Sequence, residues 1–479
     1  MTRMAHASSD THIAAPAKTP RTWPVVAAAC AGQFLVVLDV SVVNVALPSM
    51  RTGLGMSAGG LQWVVNAYAI AFAGFMLLGG RAGDLYGRKR MFLVGLGLFT
   101  LASLGGGLAQ EGWQLLAARA AQGLGAAVLA PATLTILTAA VPEGAARTRA
   151  IGTWAAVGAG GGAAGGLVGG VLTDALSWRW VLLINVPVGA LVLLGAVLWV
   201  TESRARERHR LDLPGAVLVT AGLATLSYGI VQTEESGWGA PATLVPLLGG
   251  LGLLLAFLVV ERRTAAPLMP LRLFGLRAVS GANAVMFVCG SAMFCTWFLM
   301  TLYAQNVLGY TPLDAGLAFI PSSLSVVLGS KLAPRLMPWT GARNLAVLGM
   351  LVTAAGFGWQ STMRADDPYW LSILVPGVLM MTGAGLATTP LASLATSGAA
   401  PGEAGLVSGL INTSRTMGGA LGLAVLSTVA ASRTGAVQSA ENLTAGYALA
   451  FRVGGFVLLA SVALGLVWLP RATGPARRG

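Results

Sequence analysis

Long apolar runs recur along almost the whole chain and constrain its fold more than any other feature. A helix that spans a bilayer needs about 20 predominantly apolar residues, and such runs follow one another from Trp23 to Leu469. Hydrophobic residues make up 55% of the chain and charged residues only 10%, whereas soluble domains carry about 25% charged residues. The chain cannot cover itself with a polar surface, so the sequence predicts an all-α polytopic membrane protein.

The 65 glycines favour closely packed helices over a β-barrel. In a membrane, small residues let helix backbones approach each other, and this packing replaces the hydrophobic effect as the attraction between helices. Barrel strands would alternate polar and apolar residues over about 10 positions, and the apolar runs here do not alternate.

We predict fourteen spans. Their limits are 24–44, 60–80, 91–109, 113–137, 150–172, 180–200, 213–232, 243–260, 278–303, 313–330, 344–362, 371–392, 403–428 and 448–469.

The basic residues predict the orientation. Cytoplasmic loops of membrane proteins are enriched in Lys and Arg. If the N-terminus is cytoplasmic, most of the 30 basic residues fall in cytoplasmic segments. Both termini are therefore expected in the cytoplasm, as tails 1–22 and 471–479. The composition suggests a bacterial genome, and hence a protein of the bacterial plasma (inner) membrane.

A weak internal repeat divides the spans into six, two and six. The stretch that begins at Gly87 and reaches Gly95 is similar to the stretch from Gly341 to Gly349, and Gly123-Leu-Gly125 is similar to Gly383-Ala-Gly385. Parallel repeats of this kind are a known plan of transporters. We predict an N-terminal six-helix bundle at 23–200, a linker with two extra spans at 201–277, and a C-terminal six-helix bundle at 278–470.

Several classes of function find no support in the sequence. The net charge of +13 is explained by basic cytoplasmic loops rather than by a nucleic-acid surface. Cys30, Cys289 and Cys295 lie in apolar runs, so we expect neither disulfides nor a metal site. No Gly-Lys dipeptide, and hence no P-loop for ATP, occurs in the chain. We expect no enzyme and no cofactor, and an ion gradient is the available source of energy.

Three charged residues lie inside predicted spans, where a charge is costly and is a functional hypothesis by default. Asp39 is a candidate proton carrier, since burial favours a neutral carboxyl group and a nearby cation favours a charged one; the alternatives are a structural ion pair and a polar residue at a helix end. Arg119 could tune that carboxylate, bind substrate or tie two helices together. Arg415 could line a cavity or extend to the cytoplasmic surface.

The stretch from Gly80 to Arg90 is the strongest local signal. It places Asp84 next to Arg88 and Lys89, with Gly87 at a predicted tight turn between two spans. We interpret it as a gate loop in which Asp84 pairs with Arg88 or with a helix N-terminus. The alternative is a plain basic cytoplasmic loop.

Together these motifs resemble the major facilitator superfamily, and within it the 14-span drug:proton antiporters. The Gly80–Arg90 stretch resembles the superfamily's loop between the second and third helices, and Leu38 to Pro48 resembles the subfamily's first-helix motif. Arg119 to Gly125 resembles the fourth-helix motif linked to proton coupling. Gly158 to Gly170 and the following Ser177 to Gly189 resemble the fifth-helix antiporter motif and its sequel, and Asn412 to Gly419 also fits.

The resemblance implies a major facilitator fold and a set of functional residues. Those residues are Asp39 and Arg119 for proton coupling; Gly80, Asp84, Gly87, Arg88 and Lys89 for the inner gate; Gly158, Gly165, Gly166, Gly169 and Gly170 for packing of the antiporter motif; and Asn44, Gln122, Asn412 and Arg415 as possible cavity residues.

Two positions depart from the family pattern. The antiporter motif usually contains a Gly-Pro pair, whereas Gly165 is followed here by Gly166. Because the family links this motif to the direction of antiport, the departure makes export less secure. The gate loop often has a basic residue after Asp84, whereas Leu85 stands here, so a charge relay must use Arg88 or Lys89.

The preferred interpretation is proton-coupled efflux of a small amphipathic drug, antibiotic or toxic metabolite by a monomer. Its partners are the small-molecule substrate, the lipid bilayer and protons. One alternative is a substrate-specific metabolite transporter of the same fold. The other is a membrane sensor that no longer transports. The sequence gives it little support, because no sizeable soluble output domain is evident.

Overall fold

The computed structural model describes residues 22–142, 144–203, 211–265, 267–397, 404–435 and 437–470, and their long elements are helices. The first half contains α1 Thr22–Leu54, α2 Ala58–Tyr86, α3 Arg88–Gly107, α4 Gly112–Ala140, α5 Ala145–Ala175, α6 Trp180–Leu183 and α7 Asn185–Trp199. The predicted tails lie outside the described residues, apart from Thr22.

The two extra helices and the second half follow. They are α8 Leu213–Ser236, α9 Pro241–Arg263, α10 Arg277–Asn306, α11 Pro312–Ala318, α12 Ile320–Thr340, α13 Ala342–Gln360, α14 Val375–Ser397, α15 Ala404–Thr434 and α16 Ala440–Trp468. A 3₁₀ turn, Leu271–Gly275, precedes α10, and a π-helical turn, Trp370–Leu374, precedes α14.

Within the residues that the structure describes, all fourteen predicted spans coincide with helices. In the described part, twelve helical segments are long and apolar enough to cross a membrane, and α13 and α15 bring the number to fourteen. Most helices extend beyond the predicted limits. Two spans are broken, α6 from α7 at Ile184 and α11 from α12 at Phe319. Pro187 and Pro321 follow these breaks, and a proline has no N–H to continue the helical hydrogen bonds.

The helices form two bundles with the same pattern of neighbours. In the first bundle α4 packs on α2 and α3, and α1 packs on α5; in the second, α14 packs on α12 and α13, and α10 packs on α15. The two bundles meet through α2 against α15 and through α5 against α11. The fold is therefore a major facilitator fold of two six-helix bundles with two extra central helices. The residue limits of the three predicted domains stay a prediction.

The repeated glycines lie at equivalent helix crossings. A Cβ atom on Gly95 of α3 would lie 2.7 Å from the Leu129 nitrogen of α4. A Cβ atom on Gly349 of α13 would lie 2.7 Å from the Ala387 nitrogen of α14. At both crossings only glycine lets the backbones come this close, which gives the sequence repeat a structural reason.

The extra helices α8 and α9 pack on each other and cover the contact between the bundles. Helix α8 touches both α2 and α15. Its Thr220 side chain lies directly against Gly74 of α2, and Val231 lies 3.3 Å from the Cβ position of Gly59. The pair is thus attached along the length of α2 rather than at one end.

Because close backbone contact holds α15 on α10, we predict that Gly422→Ala destabilises the protein. Gly422 abuts the backbone of Ser291, so a methyl group there forces the helices apart. Overpacking of this kind costs about 1–3 kcal/mol. Gly97→Ala in α3 is the matched control, since no described residue of another helix lies within 4 Å of its Cβ position. Thermal unfolding of the purified variants checks this; equal unfolding temperatures would contradict it.

Candidate functional site

A polar cluster lies inside the first bundle, where Asp39 of α1 faces Arg119 of α4. The Arg119 Nη1 atom donates to Asp39 Oδ2 over 2.6 Å. The two side chains are 0% and 2% exposed, so this is an ion pair fully removed from solvent. A buried charge without its partner is strongly destabilising, and each of these two residues therefore fixes the position of the other.

Two side-chain amides, one from α4 and one from α7, complete the surroundings of the carboxylate. Gln122 donates to Asp39 Oδ1 over 3.0 Å, and Asn185 at the start of α7 donates to the same oxygen over 2.9 Å. Ser103 of α3 accepts from Gln122 over 2.7 Å and donates to the Phe99 carbonyl. Asp39, Arg119, Gln122, Asn185 and Ser103, named here the Asp39 cluster, join four helices of one bundle.

The guanidinium of Arg119 also makes contacts with α2. Its Nε atom donates to the Val64 carbonyl over 3.0 Å, and its Cζ atom lies 4.4 Å from the centre of the Tyr68 ring. A cation over an aromatic face gains about 0.5–2 kcal/mol. Arg119 therefore holds α4 against α2 as well as against α1, and any movement of Asp39 is felt by both helices.

The structure brings together the two residues that the sequence predicts for proton coupling. Of the interpretations left open for Arg119, it shows contact with the carboxylate and a tie between helices. Gln122, predicted as a cavity residue, is instead fully buried in the Asp39 cluster. Sequence analysis did not identify Ser103, or the contact of Asn185 with Asp39, as part of this site. Both are polar residues in apolar runs, and this is the sequence feature that could have indicated them.

The predicted gate loop is shorter than expected. Helix α2 continues to Tyr86 and α3 begins at Arg88, so Gly87 alone separates them. Gly80 and Asp84 thus belong to the last turns of α2, and Arg88 and Lys89 begin α3. The φ angle of Gly87 is 110°, a conformation that glycine adopts readily and other residues rarely. Instead of a loop, this region is a sharp corner between two helices.

Ion pairs surround this corner. Arg88 donates to Asp84 over 3.2 Å, which is one of the two pairings that the sequence analysis leaves open. Glu202, which sequence analysis missed, accepts from the backbone N–H groups of Lys89 and Arg90 over 3.1 and 3.2 Å. A carboxylate is favourable at a helix N-terminus, so Glu202 fastens the segment after α7 to the start of α3.

The glycines of the antiporter motif lie on two faces of α5. Gly158, Gly165 and Gly169 face Gln33, Ser41 and Val42 of α1, respectively. Gly166 and Gly170 face α11 of the other bundle. The Cβ position of Gly170 is 2.6 Å from the Pro312 carbonyl oxygen, and the Cβ position of Gly166 is 3.4 Å from the Gly316 carbonyl oxygen. Gly166, where the family usually has proline, thus lies at the contact between the bundles.

The remaining predicted cavity residues lie apart from the Asp39 cluster. Asn44 donates to the Val40 carbonyl of its own helix over 2.8 Å. Asn412 touches the Met76 sulfur of α2 and accepts from Arg415 over 2.8 Å. Arg415 is exposed although it lies well inside α15.

Neighbouring contacts show which way Arg415 faces. Ser414 hydrogen-bonds to Asn283 of α10, and Asn412 contacts α2. Arg415 occupies the face of α15 between these two neighbours, on the side of the interface between the bundles. No group of three or more His, Cys, Asp or Glu in the described ranges could hold a metal ion.

Comparison with known proteins identifies the class. The model of the Major Facilitator Superfamily matches residues 29–423, which is most of the chain. Together with the fold and the motifs, this shows that the chain belongs to the major facilitator superfamily. It is a membrane transporter and not an enzyme.

Relatives with antibiotic-related names match over nearly the full length. The chain is 50% identical to the cephamycin export protein CmcT of Amycolatopsis lactamdurans over 96% of this chain and 95% of the relative. It is 40% identical to the puromycin resistance protein pur8 of Streptomyces alboniger, over 94% of this chain and 92% of the relative.

Solved structures share the fold at low sequence identity. The nucleoside transporter NupG superimposes with a TM-score of 0.69 at 11% identity, covering 93% of this chain and 100% of that one. The peptide transporter PepTSo gives a TM-score of 0.68 at 15% identity, covering 94% and 99%. At these identities the likeness concerns the fold alone.

The Asp39–Arg119 pair predicts non-additive effects on stability. Arg119→Met leaves a buried carboxylate without its cation, and we expect a loss of about 3–5 kcal/mol in the free energy of unfolding. Adding Asp39→Asn removes the unpaired charge, so the double variant is more stable than Arg119→Met alone. A double-mutant cycle of thermal unfolding measures this coupling. Additive losses would show that the pair does not interact.

Proposed function

We propose that this chain exports a small amphipathic antibiotic or toxic metabolite across the bacterial plasma membrane in exchange for protons. The observation that carries the proposal is the fully buried contact between Asp39 and Arg119. A carboxylate inside a membrane bundle is expensive to maintain and serves typically in ion or proton pathways. Here it also lies in a hydrogen-bonded cluster that joins four helices, so a change in its charge acts on these four helices.

Proton binding at Asp39 would break the ion pair. A proton on Oδ2 occupies the position to which Arg119 donates over 2.6 Å and removes the negative charge. The guanidinium then keeps the Val64 carbonyl and the Gln122 amide oxygen as acceptors. When the proton leaves, the carboxylate recovers Arg119. This alternation gives the bundle two arrangements that differ by one proton.

The contacts between the bundles support a conformation closed at one end. We call the end of the bundles where Arg88 and Lys89 lie the basic end. At the opposite end Gln305 of α10 donates to the Val45 carbonyl of α1 over 2.7 Å, and Gly170 packs on Pro312. Towards the basic end of α5, by contrast, Gly152 and Gly160 are exposed, and no described residue of another helix lies within 4 Å of their Cβ positions.

We infer that the basic end is cytoplasmic and open in this conformation. The basic residues at this end favour a cytoplasmic location. Substrate would enter from the cytoplasm, and exposed Arg415 and half-buried Asn412 would contact it between the bundles. Closing this end would require the corner around Gly87 to move, with the Asp84–Arg88 pair as the inner gate.

Export rather than import is supported by the relatives. Their names refer to cephamycin export and to puromycin, lincomycin and methylenomycin A resistance. These relatives match over at least 82% of this chain, so the proposal extends their printed roles to it. A transporter for a single self-made metabolite is compatible with the same names and is separated from a multidrug pump by a substrate panel.

The proton-carrier assignment is tested by Asp39→Asn in proteoliposomes with an imposed pH gradient. We expect gradient-driven antibiotic uptake into proteoliposomes with inside-out transporter to fall to the level of protein-free liposomes, because asparagine cannot release a proton. Exchange of labelled for unlabelled substrate without a gradient should continue. Asp174→Asn, at an exposed carboxylate near the end of α5, is the control and should transport normally. Gradient-driven uptake that is unchanged in Asp39→Asn would refute the assignment.

The inner gate is tested by Asp84→Asn. Because the Asp84–Arg88 pair is partly exposed, we expect almost no loss of stability but a slower transport rate, measured as initial uptake in the same vesicles. Arg90→Gln breaks another partly exposed ion pair at this end, with Glu202 over 3.7 Å, and is the matched control. If both variants slow transport equally, the gate is not specific to Asp84.

A further inference from the structure

A second buried charge cluster lies at the basic end, where the two extra helices begin and end. Asp212 precedes the first residue of α8, and Glu261 lies in the last turn of α9. Their exposed fractions are 3% and 2%. Buried carboxylates are rare unless paired, and the Asp39 cluster makes no use of these two.

The two carboxylates face each other across Gly215. A Cβ atom on Gly215 would lie 2.6 Å from Asp212 Oδ2 and 2.9 Å from Glu261 Oε1, so both oxygens are adjacent to the same backbone position. Asp212 Oδ1 accepts from the Gly215 N–H over 2.9 Å. Asp212 Oδ2 is buried without a hydrogen-bond partner among the residues that the structure describes.

Glu261 is held in place by the segment that leads to α10. Its Oε1 and Oε2 atoms accept from the backbone N–H groups of Leu268 and Met269 over 3.2 and 2.9 Å. These bonds prevent the carboxylate from turning away from Asp212. The neighbouring Arg262 and Arg263 are exposed and extend away from this buried site.

One cation from α2 approaches the pair. The guanidinium of Arg81 donates to the Pro267 carbonyl oxygen and interacts electrostatically with both Glu261 and Asp212. Among the residues that the structure describes, the arrangement therefore sets one positive charge against two carboxyl groups. Two adjacent carboxylates in a buried site cannot both be ionised cheaply, and an acceptor such as Asp212 Oδ2 is costly to bury without a donor.

We propose that Asp212 and Glu261 share one proton and form, with Arg81, a second proton-binding site distinct from Asp39. The shared proton supplies the donor that Asp212 Oδ2 lacks and leaves a single negative charge opposite Arg81. Two carboxyl groups provide too few ligands for a metal ion in the described part of the chain, whereas they suit a proton well.

The position of this site gives the extra helices a role. Helix α8 packs on both α2 and α15, which form one of the contacts between the bundles. With the proton bound, the Asp212–Glu261 pair and Arg81 fasten α8 and α9 to the basic end of α2. Loss of the proton places two negative charges side by side and loosens this attachment. The inference does not depend on the substrate or on the direction of transport.

The site is tested by infrared spectroscopy of the purified full-length protein in lipid nanodiscs, without substrate. At neutral pH we expect a band of a protonated carboxylic acid, which is absent in Asp212→Asn and in Glu261→Gln but present in Asp39→Asn. A band that persists in both variants, or one lost only in Asp39→Asn, would overturn the proposal. A transport defect in Asp39→Asn has no bearing on this outcome, so the two proposals fail separately.

Thermal unfolding provides a second measurement in case one variant folds poorly. Since the folded protein holds a proton that the unfolded chain releases, the contribution of this pair to stability is fully present below the pKa of a carboxyl group in the unfolded chain and is lost as the pH rises through the higher pKa of the folded pair. In Asp212→Asn the amide Nδ2 can donate to Glu261 in place of the proton, so the fall in unfolding temperature should become shallower. Asp314→Asn, in an exposed capping box, should keep the wild-type dependence.

Two results of the unfolding experiment would count against a shared proton. One is an Asp212→Asn variant with the same pH dependence as the wild type. The other is a rise in the unfolding temperature of the wild type when sodium chloride replaces choline chloride at constant pH. Such a rise would indicate a sodium site.

Discussion

The ion pair between Asp39 and Arg119 is the interaction on which the first bundle depends. Inside a membrane no water is available to solvate a charge, so each charged group needs a partner that the protein supplies. Arg119 satisfies Asp39, the Val64 carbonyl and the Tyr68 ring at once. The position of α1 relative to α2 and α4 is therefore linked to the charge of a single carboxyl group.

Close backbone contact is the second constraint, and it acts where charges do not. The glycines of α5 let it lie against α1 on one face and against α11 on the other. The first contact is within a bundle and the second joins the bundles, so α5 can transmit movement of α1 to the second half. The family usually has a proline where this chain has Gly166. Unlike proline, Gly166 has a backbone N–H group, so the helical hydrogen bonds of α5 can continue at the contact with Gly316.

Much of the fold was predictable because lipid makes helix length and apolarity visible in the sequence. All fourteen spans were found, but their ends were not, since the helices extend into segments that carry polar and charged residues. Asp39 and Arg119 were recognisable as charges in apolar runs. Asn185 and Ser103 were not assigned to the site, because neutral polar residues are common in spans and only their contacts distinguish them. Glu202 was missed since its partner at Lys89 is distant in sequence.

The sequence by itself determined the number of spans, the two similar halves and the charged residues that lie inside spans. These properties follow from local composition, because burial in lipid requires every backbone group to bond within its own helix. Only the tertiary structure decided which charges meet. It placed Gln122 beside Asp39 rather than in a cavity, and it brought Asp212, Glu261 and Arg81 together from three helices. Such contacts depend on helix packing, which no local pattern records.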